Sequence, residues 1–135
     1  MPGKSRLLIL AGLLLLPALG GCSRVGHVSG KVVEDGKPYQ ATDEMVALLF
    51  AREDGSMVIS TTVQPDGSFV VYGPNNEGLP PAKYKVGYYS DIEGGRGRKR
   101  IKDLKPEASS LELELAAGDR VNLTIDLVKG TMTRN

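Results

Sequence analysis

Few side chains in this sequence could do chemistry. Cys22 is the only cysteine and His27 the only histidine among 135 residues. A single thiol cannot form an internal disulfide bond, and a single imidazole cannot build a multi-histidine metal site, so His27 is predicted to be an exposed residue near the start of the first strand. The carboxylates are scattered singly, and the alternating acidic pattern of a calcium-binding loop is absent. We therefore predict no catalytic residue, no metal site and no bound cofactor.

One short stretch concentrates positive charge directly after Gly94-Gly95. The pattern favours a solvated, mobile loop. The alternative is a contact with an anionic polymer or with lipid head groups, worth about 1 kcal/mol for each basic residue close to a charged surface. Its candidate contact residues are Arg96, Arg98, Lys99, Arg100 and Lys102.

The first 21 residues have the plan of an export signal. Lys4 and Arg6 precede an almost wholly apolar run at 7–16. Even extended to Gly21, this run contains Pro17 and is shorter than the roughly 20 residues that a membrane-spanning helix needs. We therefore predict a signal peptide at 1–21 rather than a permanent membrane helix.

The residues around the cysteine indicate which type of signal peptide this is. Leu19-Gly20-Gly21-Cys22 resembles a bacterial lipobox. The resemblance implies that the Cys22 thiol receives a diacylglycerol, that a peptidase cleaves between Gly21 and Cys22, and that the new amino terminus is acylated. Two or three acyl chains anchor a protein durably where one would not. The alternative is an ordinary secretory signal that leaves Cys22 as a free thiol.

Localisation and partners follow from the residues after Cys22. Ser23-Arg24 stands where an Asp would retain a lipoprotein in the inner membrane, so the outer membrane is favoured, at its periplasmic face or at the cell surface. Removal of 1–21 leaves 15 basic and 16 acidic side chains, a formal charge of −1. Near-neutrality provides no steering toward nucleic acid. The predicted partners are the membrane, through the lipid, and an envelope protein or polysaccharide.

The remainder of the chain shows an apolar period of two, which is typical of half-buried strands. In 121–127 every second residue is apolar, and 84–88 and 111–115 alternate in the same way. Tyr84 and Tyr88 are predicted to be core residues, with Tyr89 outside. Every residue of the segment 45–51 is apolar, so this segment is either a central strand covered on both faces or a helix.

Turn residues separate these strand candidates. Asp35-Gly36, Asp54-Gly55 and Asp66-Gly67 readily supply the positive φ angles of tight hairpins, so each pair predicts antiparallel neighbours. The fold class predicted is all-β: a single antiparallel β-sandwich of about seven strands. Its parts are a signal peptide at 1–21, a lipidated amino terminus and short tether at 22–26, the sandwich at 27–129, and a C-terminal tail at 130–135.

Five segments of the sequence carry a resemblance to a known family. They are Val28-Ser29-Gly30-Lys31-Val32, Asp35-Gly36-Lys37-Pro38, Asp66-Gly67-Ser68-Phe69, Pro81-Ala82-Lys83-Tyr84-Lys85-Val86 and Ala117-Gly118-Asp119-Arg120-Val121-Asn122-Leu123. Together they resemble small bacterial lipoproteins with a carboxypeptidase regulatory-like, or transthyretin-like, β-sandwich domain.

The resemblance implies a non-enzymatic envelope lipoprotein whose domain acts as a structural or protein-interaction module. Transthyretin relatives include hydrolases of 5-hydroxyisourate, which use several histidines and a carboxy-terminal Tyr-Arg-Gly-Ser. This chain has one histidine and ends Thr133-Arg134-Asn135, so that activity is excluded. The alternative function is binding of a carbohydrate or another small ligand by the end loops at 73–82 and 91–103.

Overall fold

The computed structural model describes residues 24–92, 95 and 97–135. The predicted signal peptide, the Gly21–Cys22 cleavage site and Cys22 itself lie outside the described residues. Within the described part of the chain, no helix has the length and apolar character needed to cross a bilayer.

The described residues form nine strands and two short 3-10 turns, Pro74–Asn76 and Pro106–Ala108, so the all-β prediction is confirmed. In chain order the strands are β1 (His27–Glu34), β2 (Lys37–Pro38), β3 (Glu44–Arg52), β4 (Val58–Thr62), β5 (Ser68–Val71), β6 (Ala82–Ile92), β7 (Glu112–Leu115), β8 (Arg120–Asp126) and β9 (Thr131–Arg134).

The strands divide into two sheets. One sheet has the order β2-β1-β8-β9, with β5 also paired to β1, and the other has the order β4-β3-β6-β7. Every pair is antiparallel except β1 and β8, which run parallel from His27↔Arg120 to Val33↔Asp126. The prediction of purely antiparallel sheets is therefore wrong for this pair. The period of two shows which face a residue takes but not the direction of the neighbouring strand.

The inner faces of the two sheets share one hydrophobic core. The rings of Phe50 in β3 and Phe69 in β5 meet across it, with centroids 6.4 Å apart. Tyr84 and Tyr88 are buried and Tyr89 is exposed, as the alternation predicts. β3 lies between β4 and β6, so the segment 45–51 is a central strand and the helix alternative is wrong.

Two of the three Asp-Gly pairs form the predicted hairpins. Asp35-Gly36 connects β1 to its antiparallel neighbour β2, and Asp54-Gly55 connects β3 to β4. The prediction is wrong for Asp66-Gly67, which carries the chain from β4 to β5 in the other sheet. Gly67 has the expected positive φ of 88°, but an Asp-Gly turn sets only the local backbone and leaves the pairing of the flanking strands open.

The segment 130–135, predicted to be a tail, contains β9. Thr131–Arg134 pairs with β8, and the Asn135 N–H extends the ladder by donating to Asn122 O at 2.8 Å. A four-residue strand with Met132 as its only apolar side chain shows no period of two, so the sequence pattern could not reveal it. With the two-residue β2, it brings the count to nine strands rather than about seven.

Candidate functional site

The two ends of the domain present different groups. The N-terminal end is where residues 24–26 enter β1, because Gly26 bridges to Leu79 and the His27 N–H donates to Asp119 O. The distal end is marked by Glu34, the last residue of β1, and by the basic stretch that contacts it. Eight extended residues separate these ends by about 25 Å.

At the distal end, Arg100 joins the two sheets. Its Nη1 lies 2.6 Å from Glu34 Oε1, at the end of β1. Its Nε lies 3.4 Å from Glu44 Oε2, at the start of β3 in the other sheet. Its Nη2 donates to Gln40 O at 3.0 Å. One guanidinium therefore holds a strand end from each sheet.

Glu44 is the buried centre of this cluster and is only 5% exposed. Its carboxylate accepts hydrogen bonds from Ser90 Oγ at 2.6 Å, Ile101 N–H at 2.9 Å and Arg100 N–H at 3.0 Å. Burial acts to raise the pKa of Glu44, but these hydrogen bonds and the Arg100 charge outweigh it and hold the pKa below its ordinary value of 4.5. No sequence pattern signals Glu44, which begins a strand that is apolar from Met45 to Ala51.

The basic stretch is therefore partly committed within the protein. Arg100 pairs with Glu34 and Glu44, and Lys99 Nζ lies 2.8 Å from Asp103 Oδ1. Arg98 and Lys102 are exposed and make no ion pair with any described residue, whereas Arg96 lies outside the described residues.

The prediction of a solvated, mobile loop is wrong at Arg100 and Ile101, although Lys102 is exposed. Ile101 is buried in the core, and Leu104 exchanges two backbone hydrogen bonds with Tyr88, at 2.7 and 2.8 Å. The two apolar residues among the charges are the signal that could have shown this. The structure thus gives Arg100 a structural role and leaves Arg98 and Lys102 as the described candidates for a polyanion contact.

At the N-terminal end, polar side chains surround an open groove. A cavity of about 720 Å³ adjoins a second of about 340 Å³, and both are lined by His27, Asn76, Glu77 and Arg120. Arg24 adds a cation on one side and Tyr72 an exposed ring on the other. We call these six residues the N-terminal groove. His27 is exposed, as predicted, but it has polar neighbours that the sequence did not show.

The loop that carries Asn76 and Glu77 is tightly fixed. Gly26 and Leu79 exchange two backbone hydrogen bonds of 2.8 Å, and a Cβ on Gly78 would clash with Gly26 O. Asn75 and Asn76 both have positive φ angles, 64° and 59°. Such backbone costs on the order of 1 kcal/mol for each residue and persists where the surrounding structure enforces it. The loop therefore presents its side chains in a defined position.

The groove has the chemistry to bind a polar ligand. Within the described part of the chain, Arg24, Glu77 and Arg120 make no ion pair. Amide, carboxylate and guanidinium groups supply donors and acceptors for hydroxyl groups, and a guanidinium can also take a carboxylate in bidentate fashion. Tyr72 is 59% exposed and offers an apolar ring face beside them. No cluster of three or more metal-ligating side chains occurs among the described residues.

Comparison of the chain with protein-family models, curated proteins and solved structures found no match.

Proposed function

We propose that the protein is a non-enzymatic lipoprotein of the bacterial cell envelope, anchored by acyl chains on Cys22, whose β domain serves as a structural or protein-interaction module. The observation that carries the proposal is Leu19-Gly20-Gly21-Cys22 directly after a basic and then apolar leader. In the same proposal, the two sheets with their shared core form a single transthyretin-like sandwich of the carboxypeptidase regulatory-like type.

The geometry gives this proposal an orientation. Residues 22–26 span at most about 17 Å, so lipid on Cys22 would hold the N-terminal end close to the bilayer. The distal end, with Arg98 and Lys102, would then face away from the anchoring membrane. An envelope polymer or protein therefore fits these basic residues better than the lipid surface does. The same orientation applies whether the anchoring membrane is the outer or the inner one.

Mass spectrometry of the mature amino terminus tests the anchor. The wild-type protein is expected in the membrane fraction, beginning at Cys22 and carrying the diacylglyceryl and N-acyl masses. Cys22→Ser is expected to retain the leader and to carry no lipid, whereas the matched variant Ser23→Ala should be processed like wild type. Native protein found free in the culture medium with an unmodified thiol would refute the proposal.

The N-terminal groove favours a second candidate function, binding of a carbohydrate or another polar small ligand. The groove places an exposed aromatic ring beside planar hydrogen-bonding groups, and it includes residue 76 of the predicted ligand-binding loop at 73–82. Retention of the mature protein on immobilised envelope polysaccharide tests this function. Tyr72→Ala and Glu77→Gln should each weaken retention several-fold, and Tyr89→Ala, at an exposed tyrosine of the other sheet, should not. Equal retention of all three variants would exclude the N-terminal groove as the polysaccharide-binding site.

A further inference from the structure

The β4 strand has an unpaired backbone edge. Val63 N–H donates to Val46 O and Arg52 N–H to Met57 O, which fixes the alternation of the β3–β4 ladder. The backbone groups of 59 and 61 consequently face β3, and those of Val58, Ser60 and Thr62 point away from it. Among the described residues, nothing hydrogen-bonds to these outward groups. This edge is therefore open to another strand.

The other edge strands are protected. β2 consists of Lys37 and Pro38, and β7 carries two glutamates. Arg134 of β9 reaches across to β7, where its Nη1 donates to Glu114 O at 3.0 Å. The outward carbonyl groups of β5 accept hydrogen bonds from Thr61 Oγ1 and from the Gln64 N–H. Charges and prolines on edges normally prevent strand addition, and β4, with the sequence Val-Ile-Ser-Thr-Thr, has neither.

Exposed apolar side chains flank the open edge. Val58 on β4 is 60% exposed and Val70 on β5 is 46% exposed. Thr61 is paired opposite the buried Leu48, so its side chain is on the core face of β4, and its Oγ1 donates to Val70 O of β5 in the other sheet at 2.8 Å. A strand added to β4 would pair with its outward backbone groups and cover part of Val58, whereas a polar small molecule would do neither.

We propose that the β4 edge pairs antiparallel with β4 of a second copy of this chain. With Ser60 opposite Ser60 of the second copy, Val58 lies opposite Thr62 and Thr62 opposite Val58, and three hydrogen-bonded pairs form. Residues 56–63 carry no charge, so self-pairing brings no like charges together within the strand. The arrangement is two-fold symmetric and closed, and it joins two four-stranded sheets into one of eight.

This pairing is independent of the lipid anchor, and it is expected to be weak in dilute solution because three residues of each copy supply its hydrogen bonds. A covalent trap therefore tests it best. In the proposed register the two Ser60 side chains lie on the same face, with Cα atoms about 5.5 Å apart, a distance that a disulfide bond spans. Ser60→Cys should form a disulfide-linked dimer when an added copper–phenanthroline oxidant removes two electrons and two protons from the paired thiols.

The controls separate strand pairing from random collision. The full-length Thr133→Cys variant places its thiol on an exposed position of β9 and should show only background dimer, as should the wild type with Cys22 alone. Adding Thr62→Pro to Ser60→Cys removes an outward N–H that β3 does not use, so it should abolish the dimer without lowering the melting temperature strongly. Equal cross-linking at 60 and 133, or none at 60 in the folded variant, would overturn the proposal.

Discussion

Asp126 shows how one side chain can hold two turns together. Its Oδ1 accepts hydrogen bonds from the N–H groups of Asp35, Val128 and Lys129, and its Oδ2 accepts one from Gly36, all at 2.9–3.0 Å. The first turn follows β1 and the second follows β8, so the carboxylate fixes both at the distal end. Burial acts to raise the pKa of Asp126, but the four hydrogen bonds outweigh it and lower the pKa below 3.8.

Asp126→Asn is expected to lower the free energy of unfolding by about 1–3 kcal/mol, because the amide nitrogen cannot accept a hydrogen bond and leaves one donor unpaired. Urea unfolding at pH 7 measures this loss. The matched control is Asp35→Asn, an exposed residue at a φ of 52° that asparagine tolerates, and it should change stability by less than about 0.5 kcal/mol. Equal stability of the two variants would contradict the role of Asp126.

For single residues, the sequence predicts the sheet face on which a side chain lies better than the groups to which it hydrogen-bonds. The alternation through Leu123, Ile125 and Leu127 places Asp126 on the polar side of β8, yet the structure buries it. Its four donors come from turns that the chain path brings together and that no local pattern relates. Cys22, by contrast, is predicted from its immediate neighbours, because a modification motif is read locally.

Among the structural elements, the segment 97–111 is rich in charged residues and is nevertheless packed against the core. Its basic residues suggest a solvated loop, but Ile101 packs into the core and Pro106 lies against Gly87, where a Cβ would clash with Leu104 O. The clear alternation of β6, β7 and β8 made these strands predictable, since each has one face on a common core. Segments held by a few specific hydrogen bonds lack such a period.

Arg100→Gln is expected to loosen this segment while leaving both sheets intact, since the guanidinium is its link to Glu34 and to Gln40 O. Amide hydrogen exchange at Ile101 and Ser90 should accelerate at least several-fold, with a loss of about 1–2 kcal/mol in unfolding free energy. Lys102→Gln removes an exposed charge two residues away and serves as the control. Identical exchange in both variants would show that the ion pairs do not hold the segment.

For the whole molecule, the buried carboxylates set the response to acid. Glu44 and Asp126 both have a pKa that is lower in the folded protein than the ordinary value. The hydrogen bonds that Glu44 accepts tie β3 to Ser90 of β6 and to Ile101, and those that Asp126 accepts join the turns after β1 and β8. The contribution of each carboxylate to stability is complete above the pKa that the group has in the unfolded chain, and it is lost as the pH falls through the pKa of the group in the folded protein. The direction of both shifts therefore predicts acid destabilisation beginning near pH 4.5.

Urea unfolding between pH 7 and pH 2.5 should show the unfolding free energy falling steadily below about pH 4.5, and Glu44→Gln should reduce the steepness of that fall as well as the stability at pH 7. The reason is that the substituted amide cannot gain a proton on unfolding, so the variant loses one source of proton uptake. Asp43→Asn, at the exposed neighbouring residue, should keep the wild-type slope. If Glu44→Gln kept the wild-type slope too, the hydrogen bonds around Glu44 could not be a source of the acid sensitivity.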